Sequence, residues 1–403
     1  MMDQRVKEYL HFGYCLSKTD RYPFTVPEDF TGKDLSEKKP VEHLHQVFKH
    51  VIGKNKIDQN IVIPISGGLD SRLLLAEYLR QYEHNQIKTV TFGVSHSLDT
   101  VLPLKLAKRF DLSHTFINLI DQDFSEKSLL YYAQQQSNPT FLIEAYCNYL
   151  IRNSFNQDDT FVSGYFGDPV AGFISPKFQQ ISSFEDALEI FVKESKLDKT
   201  GILSSLDSNS LSICDDNFSF LSPYEKLNFR LRQVNMIEPI VIDDRYNYQT
   251  PFSDSDLVQL MFSLPQADRI EKKLFFEMAD KYYPEYFKIG LKNLFGARIK
   301  STQLEKDIRR KYCYAKKILS RRFPVLNISD PLLNYFSPYW FYVSNESTAR
   351  MVQQNLADLR KRDILDGVNP LVAYEKFTMG DYRFANAVKL LFNAEIYLKA
   401  GIF

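Results

Sequence analysis

Ile61-Val-Ile-Pro-Ile-Ser-Gly-Gly-Leu-Asp-Ser-Arg-Leu-Leu-Leu-Ala-Glu-Tyr-Leu79 is the stretch on which the reading of this chain turns. Asn60 to Ile65 is a short apolar run with three isoleucines and a valine, as suits a strand buried on both faces of a parallel sheet. Gly67 and Gly68 interrupt it, and from Ser71 the apolar residues Leu74, Leu75, Tyr78 and Leu79 recur at helical spacing. Strand, glycine turn and helix together aim free backbone N–H groups and the positive end of a helix dipole at one point, which favours an anion. Ser66 and Ser71 add hydroxyl donors, and Asp70 adds a carboxylate. A carboxylate beside a bound phosphate makes sense when a divalent metal lies between the two negative groups.

Further strands are predicted at Ile87 to Phe92, His114 to Leu119 and Asp159 to Val162, with helices at Val41 to Ile52, Leu102 to Phe110 and Pro139 to Ser154. Strands alternating with helices predict an α/β fold, a Rossmann-like parallel sheet with helices on both faces. A mostly helical C-terminal part follows. In such sheets the ligand sits at the carboxyl ends of the strands, where Ser66 and Gly93 fall. The expected organisation is a lead-in over 1–58, with a loop holding Pro23, Pro27, Lys33, Lys38, Lys39 and Pro40. A nucleotide domain over 59–297 and a helical region over 298–403 complete it. Residues 196–222, rich in Ser, Asp and Asn, read as a surface excursion, and Pro223 opens a helix to about Met236.

The 403 residues are 44% apolar and 25% charged, an ordinary globular composition. No apolar run approaches the ~18 residues that cross a bilayer, and the N-terminus has no signal-peptide core, so the expected location is cytoplasmic. Fifty Lys and Arg balance fifty Asp and Glu, which argues against bulk attraction to nucleic acid or anionic membrane. Cys15, Cys147, Cys214 and Cys313 form no C-x-x-C pair and read as buried thiols. His43, His45 and His50 share one predicted helix, which reads as a solvated face rather than a metal site. Arg298 to Arg322 holds ten Lys or Arg against two acids. It reads as a basic solvated helix, or as a cationic rim for a phosphorylated or nucleic-acid substrate.

The loop Ser66-Gly-Gly-Leu-Asp-Ser71 is not a Walker loop; it resembles the pyrophosphate loop of the N-type ATP pyrophosphatases. A second loop, Ser163-Gly-Tyr-Phe-Gly-Asp-Pro-Val-Ala-Gly172, follows a predicted strand and can face the first across the crevice. Asp168 is then a second magnesium carboxylate, or part of a Gly-Asp-Pro turn with no ligand role. This loop resembles the G-x-G-x-D segment in the synthetase domain of the asparagine synthetase and β-lactam synthetase family. The resemblance implies ATP and Mg2+ as cofactors, with metal ligation by Asp70 and Asp168. It implies nucleotide binding by Ser66, Gly67, Gly68, Asp70, Ser71 and Gly164, and at Ile65, Phe92 and Gly93 on the adenine side. Tyr165 stands where the β-lactam synthetases have a tyrosine implicated in deprotonating the amine, although a packed tyrosine explains it equally. Lys292, ahead of Phe295-Gly296, resembles the family lysine that reaches the α-phosphate, with Lys288 as the fallback. Pro251-Phe-Ser-Asp254, Leu264-Pro265 and Glu395-Ile-Tyr-Leu398 follow the family's order of segments.

Three departures stand out. Too few residues precede the loop for the family's glutaminase domain, so a separate glutaminase or ammonia source, or an amine on another molecule, is expected. The family's E-x-R-x-P-F appears as Asn247-Tyr-Gln-Thr-Pro-Phe252, which replaces a glutamate by Asn247 and an arginine by Gln249. Asp168 is followed by Pro169, and Arg72 adds a charge near the phosphates with no assigned role. The expected activity is adenylation of a carboxylate on a small molecule, glycan or peptide, with acyl transfer to ammonia or an amine. A tRNA-modifying pyrophosphatase and a non-catalytic nucleotide-binding or partner module are the alternatives.

Overall fold

The computed structural model describes residues 3–16, 21–27, 30, 39–172, 181–203, 206–216, 218–323, 326 and 328–403. Lys33 and Lys38 of the N-terminal loop lie outside them. The apolar runs build a five-stranded sheet in the order β3-β2-β1-β4-β5, parallel throughout. These strands are β1 (Ile61–Pro64), β2 (Ile87–Gly93), β3 (Ser113–Asn118), β4 (Thr160–Val162) and β5 (Asn247–Gln249). Ile61, Val62 and Ile63 are fully buried, as an unbroken apolar run in a central parallel strand must be. The chain turns to opposite sides of β1 for β2 and β4, which opens a crevice at its carboxyl end. Strand β5 is not foreseen: Asn-Tyr-Gln carries no apolar alternation, and only its pairing with β4 makes it a strand.

The first helices are α1 (Gln4–Phe12), α2 (Pro40–Lys54), α3 (Asp70–Gln81) and α4 (Leu98–Arg109). They are followed by α5 (Glu126–Ala133), α6 (Leu142–Arg152) and the single turn α7 (Gly167–Val170). Helix α4 starts at Leu98, before the expected Leu102, so Pro103 falls inside it and takes away the N–H that would bond the Asp99 carbonyl. The helix expected from Pro223 is two structures. A Ser222/Glu225 capping box starts an α-helix over Pro223–Leu227, and a π-helix takes over across Asn228–Ile237. Helix α1 packs on the C-terminal helix Ala385–Lys399, with the Tyr9 ring edge-on to Tyr397 and Phe403. Cys15, Cys147 and Cys313 are buried, but Cys214 is exposed, contrary to the reading of all four as core thiols. The His45 ring stacks on Tyr282, and no cluster of metal-ligating side chains occurs among the described residues. No helix among them is long and apolar enough to cross a membrane.

Arg72 corrects an expectation. It does not add charge near the phosphates; it lies fully buried behind the loop. Its guanidinium donates to the carbonyls of Tyr286 (3.4 Å), Ile289 (2.8 Å) and Gly290 (3.1 Å) and lies over the Phe287 ring. Burial without a carboxylate lowers its pKa to about 10. The first turn of α3 thereby fixes the segment that leads into Lys292. Arg72→Met, which leaves those carbonyls unpaired, is expected to lower stability by about 2–4 kcal/mol in urea unfolding.

Candidate active site

The turn between β1 and α3 is held by its own serines. Ser71 Oγ accepts from the Ser66 amide (3.1 Å) and lies 3.3 Å from Ser66 Oγ, which accepts from the Gly68 amide at 3.2 Å. Gly67 is the point of closest approach. Its carbonyl accepts from the Lys292 amide (2.7 Å), and its amide donates to Asp99 Oδ1 (3.1 Å). A Cβ there would sit 2.7 Å from the Leu98 carbonyl oxygen and 3.0 Å from Lys292 Cβ, so no side chain fits. The Lys292 ammonium in turn contacts Asp99 Oδ2 and Asn334 Oδ1. One carboxylate, Asp99, therefore occupies a loop amide and the lysine together. Sequence reasoning gave Asp99 no role, although it stands in the first turn of α4, the helix that follows β2.

The two carboxylates expected to share a metal do converge. Asp70 opens α3, and Asp168 stands in α7 at the end of the loop after β4. Gly167 lies so close to Asp70 that a Cβ would be 2.9 Å from its carboxyl carbon. Between the two acids is Lys272, buried, with its ammonium 2.7 Å from Asp70 Oδ2 and in contact with Asp168 Oδ1. Lys272 and its neighbour Glu271 both adopt left-handed backbone, φ +61° and +56°. Burial pushes Asp70 up to about 6, against the pull of the Lys272 ammonium and with the nearby Asp168 adding to the rise. For Lys272, burial alone would lower the pKa, but the two carboxylates together raise it. Nothing in the sequence singled out Lys272.

Magnesium fits these donors. Asp70 Oδ1 is buried with no hydrogen-bond partner among the described residues, and the Asp168 side chain is 58% exposed. Two carboxylates are what a nucleotide-borne magnesium takes from a protein, with phosphate oxygens and water completing its shell.

A cavity of about 450 Å³ extends from this point, lined by Ser66, Gly68, Asp70, Ser71, Phe92, Gly164, Tyr165 and Asp168 among others. Ile65 and Gly93 stand behind it. The Ile65 amide donates to the Val90 carbonyl and its own carbonyl accepts from Thr91 Oγ1, while Gly93 (φ +134°) backs onto the Asn334 carbonyl. Tyr165 is buried, its hydroxyl 3.1 Å from both Glu238 Oε2 and the Gln233 carbonyl. Burial, then the Glu238 charge, push the phenol far above its usual range. Glu238 is tied on its other side to Arg21 at 2.5 Å and lines a second, polar cavity with Asp243 and Asp244. A glutamate thus stands by Tyr165 after all, from a different place than Asn247. Asn247 is exposed at the start of β5, and Gln249 turns away to Tyr78 and the Asn55 carbonyl.

Two arginines also face the main cavity. Arg152 is committed to Asp243, the Ile240 carbonyl and Tyr248. Arg232, on the exposed side of the π-helix, has no carboxylate partner among the described residues.

A parallel sheet with a serine-glycine phosphate loop at its switch point, faced by an acid from the next crossover, defines an α/β nucleotide-dependent site of the ATP-pyrophosphatase type. Residues 52–189 match the model of the asparagine synthase family, and it is over this segment that the chain is similar to that family. A search of curated proteins gave no match. The matched segment holds the loop, Asp99, Tyr165 and Asp168, whereas Glu238, Lys272 and Lys292 come from the chain beyond it.

Gly67→Ala forces Leu98 and Lys292 off the loop. Calorimetric titration with an ATP analogue is expected to show affinity at least ~10-fold weaker.

Proposed function

We propose that this chain is an ATP-dependent ligase that adenylates a carboxylate and passes the acyl group to an amine or ammonia. The observation that carries the reading is the meeting of Asp70 and Asp168, from separate crossovers, beside a loop of serine hydroxyls and backbone amides. Ser66, Ser71 and the Gly68 amide would hold the departing pyrophosphate, while Lys292, exchanging the Asp99 carboxylate for phosphate oxygen, would meet the charge at the α-phosphate. Magnesium, when bound through Asp70 and Asp168, supplies positive charge to the phosphates. The substrate carboxylate attacks the α-phosphorus, the bond to the bridging oxygen breaks, and pyrophosphate leaves. The amine nitrogen then adds to the acyl carbon, and AMP departs with the bonding electrons.

The amine must lose a proton in this second half. Tyr165 keeps its own proton at neutral pH, so it acts as a relay. It accepts the proton from nitrogen as it gives its own to Glu238, which opens on the polar cavity beyond. Arg232, on the cavity wall with no carboxylate partner among the described residues, suits an acyl or amine substrate that carries a further anionic group. Either free ammonia or an amine on a second molecule can serve as the nucleophile in this arrangement.

Purified protein with ATP, magnesium and a panel of carboxylic acids is expected to catalyse ATP–pyrophosphate exchange with at least one acid. Lys292→Met should reduce exchange by ~100-fold or more. Glu238→Gln and Tyr165→Phe should leave exchange intact but slow amide formation by about 10²-fold or more; equal loss of both half-reactions would contradict the relay. Arg232→Met should raise the acid or amine KM by about tenfold with kcat nearly unchanged. A protein that yields no AMP with any acid and either nitrogen source would overturn the proposal as a whole.

A further inference from the structure

The helix Gln303–Arg322 is turned inside out relative to a surface helix. Its only buried residue is Cys313, whose thiol lies 3.9 Å from the Phe295 carbonyl, and its half-buried positions on that side include Lys306, Lys316, Lys317 and Ser320. Leu304, Ile308, Tyr312 and Leu319 recur at helical spacing on the opposite side, 70%, 59%, 58% and 42% exposed, and Phe323 continues the stripe. Ile318 and Tyr314 widen it on one flank. A helix of a globular protein ordinarily points such a stripe at its own core. Here the polar, basic side rests on the body and the apolar side faces water along about 30 Å of helix.

The charges say what covers it. The helix carries eight Lys or Arg against two acids, and both acids are taken up by Arg309 and Arg310. Lys311, Lys316, Lys317, Arg321 and Arg322 face no carboxylate among the described residues. Two of them, Lys311 and Lys316, flank the apolar stripe on either side. A second copy of this chain would bring the same cations against these, so self-association through the stripe is opposed. Apolar and aromatic side chains flanked by unpaired cations on long stems match an acidic lipid surface, where the stripe enters the acyl boundary and the cations meet headgroup phosphates. The overall charge balance of the chain does not oppose this, because headgroup attraction is felt only within a screening length of the surface.

We propose that the helix Gln303–Arg322 is an interfacial anchor that docks the protein on an anionic membrane surface. This reading is independent of the ligase chemistry. The test is co-sedimentation of the full chain with vesicles of phosphatidylcholine alone or mixed with phosphatidylglycerol, at low and high salt. Binding is expected to the acidic vesicles, ~10-fold or more weaker on neutral ones and weakened by salt. Because the positions are exposed, Ile308→Glu with Leu319→Glu should keep the wild-type melting curve and ATP binding while losing vesicle binding. Three results would each overturn the proposal. These are no binding to acidic vesicles at low salt, binding that the double substitution leaves unchanged, and sedimentation showing a dimer or an acidic protein partner held by the stripe while vesicles stay free.

Discussion

Two aspartates delivered by different crossovers can share one crevice only when a cation stays with them. Like charges about 4 Å apart repel by about 4 kcal/mol at an effective dielectric near 20, enough to force one acid to bind a proton. Here Lys272 carries that burden, bridging Asp70 and Asp168 from a segment far along the chain. The arrangement has a cost, because Glu271 and Lys272 both sit in left-handed backbone, at roughly 1–3 kcal/mol each. Strain of that size persists only where the surroundings hold it in place, and the buried ammonium between two acids is such a hold. Asp70 and the more open Asp168 still line the cavity, so the lysine offsets the repulsion without closing the site.

The phosphate loop depends on support of a similar kind from behind. Arg72 fixes the carbonyls of 286–290, Lys292 then donates its amide to Gly67, and Asp99 completes the circuit by binding the Gly67 amide and the Lys292 ammonium. A carboxylate in that place satisfies the two groups that a phosphate oxygen would otherwise satisfy. The loop is thus preorganised, and in the function proposed for it an entering phosphate would replace one anion by another instead of ordering a free loop.

The central strand, the glycine turn and the acid at Asp168 were legible because each depends on local pattern: an apolar run, a pair of glycines, a turn after a strand. Lys272 and Glu238 were not, since a charged residue in a helical stretch reads as solvated, and only tertiary packing buries it. The direction of Arg72 escaped for the same reason: sequence places it one residue after the loop, but not on which side of the helix. Asn247-Tyr-Gln249 has no strand signal without β4 beside it, and a π-helix differs from an α-helix by a hydrogen-bond shift that propensity does not register. The basic segment was legible in its charge, while the solvent-facing side of its apolar stripe was not, because the pattern of an amphipathic helix is the same whichever face the body takes.

The substituted Asn247 shows how a site can shift a function to another position. If the glutamate of the resembled motif were needed at that place in the chain, its replacement would remove the only carboxylate able to take a proton from an amine. The structure sets a different carboxylate, Glu238, against the Tyr165 hydroxyl, and holds it there with Arg21. A phenol with a strongly raised pKa is a poor base alone, yet it conducts a proton well when an acceptor stands 3.1 Å behind it. What proton removal would require is such a pair, and this chain brings a phenol together with a carboxylate that lines a polar cavity, from residues 73 positions apart.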